Sequence, residues 1–488
     1  MFPRSRAFPS RIRRAATASL VVLLALAVYV VPAVPQSGAY AFDAIPDSST
    51  LPPNLGLVDV TANGIVDVYI LDRLGRLVLD PARSGHRLAG SPQFAPDESA
   101  PNLWMNVSWS GQVDYFDLAP GMELARFQLP GPLTFAPRSA GGGRYNGVTD
   151  AGEVVDWGIA GVLNTFALRG PLQFEPQEAG PGGPLFSATS DGFFEEWNPV
   201  LGIRSEFQLL EPLQFAPTFV AGGNYEGVSW SGEYMWWNAA GAQDNLKLDH
   251  PLQFAHVDLG GGIRSGISPS GYVQVWAANP RAPGAILPQK AKLPSPMQFQ
   301  AQVFPGNVQA SASPAGALVV WQVIPAVPPG TVPALSIAQV QLTGPLQFAP
   351  ILSPPGVNPT VNNIQSWIGV TVSGQFNTVT PNPGGNPPGT VTSVGLPGGP
   401  PQFAPISVGP NQWMLISQNG ILSIVNQGPP PVIVSVLELP GPLQSPPQPV
   451  PSPPAPAGAQ WWKGTTQSGK TVVFQTAPAP PMVLSVTR

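Results

Sequence analysis

The chain has 488 residues, of which 43% are hydrophobic and only 10% charged, with a formal net charge of −5. It contains no cysteine, which excludes thiol catalysis, iron–sulfur clusters and thiolate zinc sites. Its 64 prolines and 53 glycines approach the fraction at which disorder is expected unless the sequence is periodic, and it is periodic.

The chain opens with the pattern of an export signal. Arg4, Arg6, Arg11, Arg13 and Arg14 form a basic stretch before an apolar run from Ala15 to Val34, and Ala39-Tyr40-Ala41 supplies small residues at a cleavage spacing. Residues 1–41 are therefore expected to be a removed signal peptide. An uncleaved membrane anchor is the alternative, because the apolar run nearly spans a bilayer; Pro32 and Pro35 favour cleavage. Arg13-Arg14 is similar to a twin-arginine pair, though its flanks fit poorly. Removal leaves 17 basic against 27 acidic side chains, a balance that disfavours nucleic acid and anionic membranes as partners. Without disulfides, an exported chain must hold together by burial, which this length allows.

Beyond the leader, two markers alternate. The first is PLQFAP and its variants, with Phe94, Phe135, Phe174, Phe215, Phe254, Phe299, Phe348 and Phe403, and Ser445 in a degenerate copy. The second is Ser/Thr-x-x-Gly, centred on Gly64, Gly111, Gly152, Gly192, Gly232, Gly271, Gly316, Gly374, Gly420 and Gly469. Five residues after these glycines stand Tyr69, Phe116, Trp157, Trp197, Trp237, Trp276, Trp321, Val379, Val425 and Phe474. Each unit of about 40 residues reads as a β-hairpin. Tyr225 to Trp230 and Glu233 to Trp237 supply strand formers on either side of a turn whose glycine takes a positive φ and whose hydroxyl bonds backbone. A third short strand is expected over Asp244 to Leu248, and LQF as a fourth, restricted by its flanking prolines.

Four short strands per 40 residues is the arithmetic of a propeller blade. Over about residues 52–488 the chain resembles β-propeller repeat proteins in architecture. It lacks the Gly-His and Trp-Asp marks of WD repeats and the Gly-Gly pairs with spaced Tyr and Trp of kelch, so the resemblance implies a fold and no activity. The expected class is all-β: about ten repeats forming one large ring or two smaller propellers. The phenylalanine of PLQFAP and the ring after each glycine are expected between blades. A composition shift near residue 300 suggests repeats 1–6 over 42–300 and repeats 7–10 over 301–488. From Ala301 onward only Glu438, Lys463, Lys470 and Arg488 are charged, and Pro- and Gly-rich insertions begin.

Chemistry is sparse. His250 and His256 lie six residues apart near Asp249 and Asp258, a spacing that matches no metal motif, and with His86 they read as surface-loop residues. Asp114 with Asp117, Glu153 with Asp156, and Glu195 with Glu196 are carboxylate pairs of the kind glycoside hydrolysis needs. They occupy only the first half of the chain, at offsets that do not repeat cleanly. No nucleophile elbow, phosphate loop or calcium loop is present, and no cofactor or metal is expected. The aromatics are the better lead. Trp109 and Trp230 share one place inside the turns of two Ser-Trp-Ser-Gly copies, where exposure is expected, and Tyr234 and Trp236 are candidates to extend that face. Asn106-Val107-Ser108 is a glycosylation sequon, relevant to a eukaryotic source. The leading reading is a secreted, periplasmic or cell-surface binding scaffold that engages carbohydrate or protein through loop aromatics. A structural cell-envelope component and a propeller hydrolase or lyase are its rivals.

Overall fold

A computed structural model of the protein describes residues 42–44, 55–60, 63–71, 77–94, 96–100, 103–118, 122–220, 222–241, 243–279, 288–324, 333–353, 360, 366–382, 388–450, 460–468, 470–477 and 480–487. The expected signal peptide, 1–41, lies outside these residues. Every described regular element is a β-strand, and the strands form ten antiparallel sheets. The sheets stand in one ring, a ten-bladed β-propeller.

Within a blade the four strands follow chain order. Blade 3 runs Arg138–Gly141, Arg144–Val148, Glu153–Gly158 and Gly161–Ala167. Blade 1 differs in its last strand, which is divided into Leu77–Leu79 and His86–Arg87, both paired to Ile65–Leu71. The Ser/Thr-x-x-Gly turn joins the second strand to the third. Gly152 takes φ +80° there, and an added Cβ would sit 2.4 Å from the Gly170 carbonyl oxygen. The glycine is thus required twice, by backbone conformation and by space. The hydroxyl three residues earlier accepts the backbone N–H that opens the third strand: Thr149 from Glu153 at 3.1 Å, Ser229 from Glu233 at 3.0 Å, Ser417 from Ile421 at 3.0 Å.

The ring five residues after the glycine packs backward onto the preceding blade. Trp157 sits with Met105 and Val113 of blade 2 and Leu133 of the following connector, Trp237 with Phe186 and Phe194 of blade 4, and Trp321 with Val273 and Val275 of blade 6. Such clusters link every consecutive pair from blade 1 to blade 10, including blades 6 and 7 across residue 300. Each large side chain removed from water there contributes on the order of 2–3 kcal/mol.

LQF is not the fourth strand. It is the connector between blades, and its leucine bridges the turn hydroxyl residue, as Leu133 does Thr149 and Leu213 does Ser229. The first strand of the next blade begins only after the following proline. Leu133, Leu213 and Leu346 are fully buried, whereas the phenylalanines are half-buried at the edge of the same clusters. The glutamine has its own role. Gln173, Gln214, Gln298 and Gln347 each donate through Nε2 to the carbonyl of the equivalent connector one blade on, at 3.2, 3.0, 3.0 and 2.7 Å. A recurring amide thus ties blade to blade along the ring.

Candidate functional site

All thirteen tryptophans lie among the described residues, and only Trp109 and Trp230 are exposed, at 45% and 55%. Both stand at the tip of the turn between second and third strands, Trp109 on blade 2 and Trp230 on blade 5. The Trp109 backbone N–H donates to the Ser91 carbonyl at 3.2 Å, pinning the turn to the connector while the indole projects outward. Two blades separate them in the ring, so they are not one cluster. Tyr234 does not extend this face. It is fully buried, and its hydroxyl, 2.7 Å from both Glu226 Oε2 and the Ala278 carbonyl, shares its one proton between them. The period-2 strand that begins at Glu233 turns Tyr234 into the blade 5–6 core. Trp236 is half-buried against that same core.

The surroundings of Trp230 are polar and ordered. The next residue, Ser231, donates to Glu211 Oε2 at 2.5 Å, and Lys247 Nζ donates to the Ser231 carbonyl at 2.9 Å. Lys247 also lies 3.4 Å from Glu233 Oε2, whose other oxygen accepts Asn245 at 2.5 Å. Hydrogen bonds from Ser229 and Ser231 hold the Glu211 carboxyl below the usual carboxylate range, with the Lys247 charge adding to them. On the far side of the turn, a Cβ at Gly232 would come within 3.2 Å of Pro251 and 3.4 Å of His250, so the next connector packs directly on it. His250 stacks on Tyr272 of blade 6 with centroids 4.7 Å apart. Lys292 Nζ lies 4.3 Å and Lys290 Nζ 5.9 Å from the Tyr272 ring centre. Lys290 also pairs with Asp249 at 2.9 Å, and Lys292 donates to the Ser270 carbonyl. One rim across blades 5 and 6 thus joins an exposed indole, carboxylates and three of the five lysines of the chain.

Sequence reasoning missed these lysines and Tyr272, which lie 17 to 62 residues from Trp230, on its own blade or the next. The available signal was the rarity of lysine combined with its equivalent place in two adjacent repeats.

The carboxylate pairs are engaged within and between sheets. Asp114 is buried, pairs with Arg126 Nε at 2.6 Å and accepts the Ala89 N–H of blade 1 at 2.9 Å. Asp156 pairs with Arg144, and Glu196 accepts the Tyr225 hydroxyl at 2.7 Å and faces Arg204 at 3.4 Å. Glu195 accepts the Arg169 N–H of the preceding blade, and burial pushes its carboxyl up to about 7. The histidines part company. His256 meets Glu226 at 2.9 Å, and Arg264 Nε meets both Glu226 oxygens at 2.8 and 2.9 Å. Burial raises the Glu226 carboxyl, but the His256 hydrogen bond and the charges of His256 and Arg264 outweigh it, so it stays below its ordinary value. Among the described residues no three His, Asp or Glu side chains gather as a metal site. A groove of about 520 Å³ between the last strands of blades 7 and 8 holds Gln339, Gln341, Asn382 and Thr390 and no charged side chain.

No family model and no curated protein matches the chain. Many solved structures are similar to it, two of them as follows. BamB from Moraxella catarrhalis is 15% identical, covering 68% of this chain and 93% of its own, at a TM-score of 0.35. The computationally designed Ika8 protein is 17% identical, covering 67% and 91%, at a TM-score of 0.31. At these scores neither likeness bears on function, and the propeller assignment rests on the strand order and packing above.

Proposed function

We propose that the protein is a secreted or cell-surface scaffold propeller that binds carbohydrate or protein through aromatics at its hairpin turns, with Trp230 as the principal contact. The exposure of Trp230 carries this reading. A chain that buries nine of its thirteen tryptophans leaves this one more than half in water, where its apolar faces gain nothing for the fold. An exposed indole beside fixed hydrogen-bonding groups suits stacking on a sugar ring or filling an apolar pocket on a partner. Glu211, Ser231 and Glu233 supply those groups at the turn.

Ligand screening on a glycan array and by pull-down, with wild type beside Trp230→Ala and Trp109→Ala, tests it. The expected result is a ligand retained by wild type and weakened at least tenfold by Trp230→Ala. Retention that is identical in both variants and wild type overturns the reading, and silence of wild type in both assays favours a passive envelope component.

A further inference from the structure

We infer that the rim of blades 5 and 6 binds an acidic polysaccharide, one whose sugar rings carry both hydroxyls and carboxylates; this rests on the Trp230 reading above and names its ligand. The argument comes from comparing repeats. The last residue of the fourth strand caps the adjacent turn by donating to its carbonyl. Gln128 does so to Ser110 at 2.7 Å, Gln208 to Asp191 at 3.1 Å and Gln341 to Ala315 at 2.8 Å. Blades 5 and 6 put Lys247 and Lys292 in that place. The cap needs a donor and no charge; in blade 5 the Lys247 charge faces Glu233, and in blade 6 the Lys292 charge meets only the Tyr272 ring among the described contacts.

Lys290 sharpens the point. It lies two residues before Lys292 on the same face of one strand, where two like charges repel. The Tyr272 ring, stacked with His250, lies near both ammonium groups, and Asp249 pairs with Lys290. A protein of pI 5.3 has thus concentrated its few lysines beside its most exposed tryptophan. Carboxylates sit among them, and the combination selects the ligand. Lysines at fixed positions meet carboxylates of a polymer, whereas Glu211 and Glu233 accept hydroxyl protons, which a sugar has and an acidic peptide of Asp and Glu lacks. Trp230 supplies the stacking face.

Affinity electrophoresis of the full chain through gels holding polygalacturonate or neutral hydroxyethyl cellulose tests this. Wild type should be retarded at least tenfold more strongly by polygalacturonate, and salt should weaken the effect. Lys290→Gln/Lys292→Gln should abolish that preference, with a nearly unchanged melting temperature, because glutamine already fills the Lys292 place in blades 2, 4 and 7 and the Lys290–Asp249 ion pair is exposed. Equal retardation by both polymers, or acidic retardation that survives the lysine changes, overturns the inference and leaves the Trp230 reading standing if Trp230→Ala still weakens binding. Retardation by neither polymer overturns the inference, and a protein partner captured through Trp230 would then keep the broader reading alive.

Discussion

Blades 2–6 and blades 7–10 solve the same packing problem with different side chains. In blades 2 and 4 of the first group, the residue three places after the turn glycine is an acid that holds the connector of the preceding blade: Asp114 accepts Ala89 N–H and Glu195 accepts Arg169 N–H. In blade 6 of the same group and in blade 8 of the second, that place holds an amide. Gln274 accepts His250 N–H at 3.1 Å and returns a bond to its carbonyl at 2.8 Å, and Asn377 accepts Thr343 N–H at 3.2 Å. The apolar clusters between blades are alike in both groups. The fold therefore requires burial, since blades 3, 5 and 7 fill this place with Val155, Met235 and Val319; a hydrogen-bond acceptor there is optional, and charge is an option it takes up only early in the chain. Where charge is optional for the fold, its placement carries information about function, and the lysines of blades 5 and 6 are read on that basis.

The largest effect should come from the element both groups share. Trp157→Ala removes a fully buried ring between blades and should cost about 3–5 kcal/mol, measured by denaturant unfolding; a cost below about 1 kcal/mol would contradict its packing role. Next comes an element that only the early blades possess. Glu226→Ala leaves Arg264, itself 5% exposed, without its buried partner and should cost about 3 kcal/mol. This contribution is present above the ordinary glutamate range and is lost as pH falls through the lowered carboxyl value.

Glu195 has the opposite sign. Its folded carboxyl titrates at about 7, above the ordinary 4.5, so the folded state holds the proton more tightly than the unfolded chain. Stability should fall as pH rises from about 4.5 to about 7 and remain lowered above that, by on the order of 2 kcal/mol. Glu195→Gln copies the amide of blade 6; it should erase this slope and raise stability at pH 8 by on the order of 1–2 kcal/mol. Melting curves at pH 5 and pH 8 check it, and an unchanged slope in the variant would remove Glu195 as its source. The smallest effect belongs to the rim: Trp109→Ala should change stability by less than about 0.5 kcal/mol, and a larger loss in the same unfolding assay would mean the indole is part of the core.

The hairpin was legible in the sequence because all its parts are local. Ser229, Gly232 and Trp237 lie within nine residues and recur, so spacing alone exposes them. The connector was legible as a motif but not as a structure. Leu213 and Phe215 are both apolar, and only the three-dimensional placement reveals that the leucine bridges the turn while the phenylalanine stays half-exposed. Gln214 bonds a residue 38 positions away, a partner no local pattern names. The acids misled for the same reason. Asp114 and Asp117 read as a pair along the chain, whereas Asp114 pairs across the sheet with Arg126 and across blades with Ala89. Tyr234 adjoins the exposed turn in sequence, but its strand directs it inward.

A density map viewed down the ring axis tests the central claim most directly. Ten four-stranded sheets in a single closed ring, with Trp157, Trp197, Trp237, Trp276 and Trp321 each wedged against the sheet before it, is the expected result. Two separate rings, or those five indoles facing solvent, would contradict it.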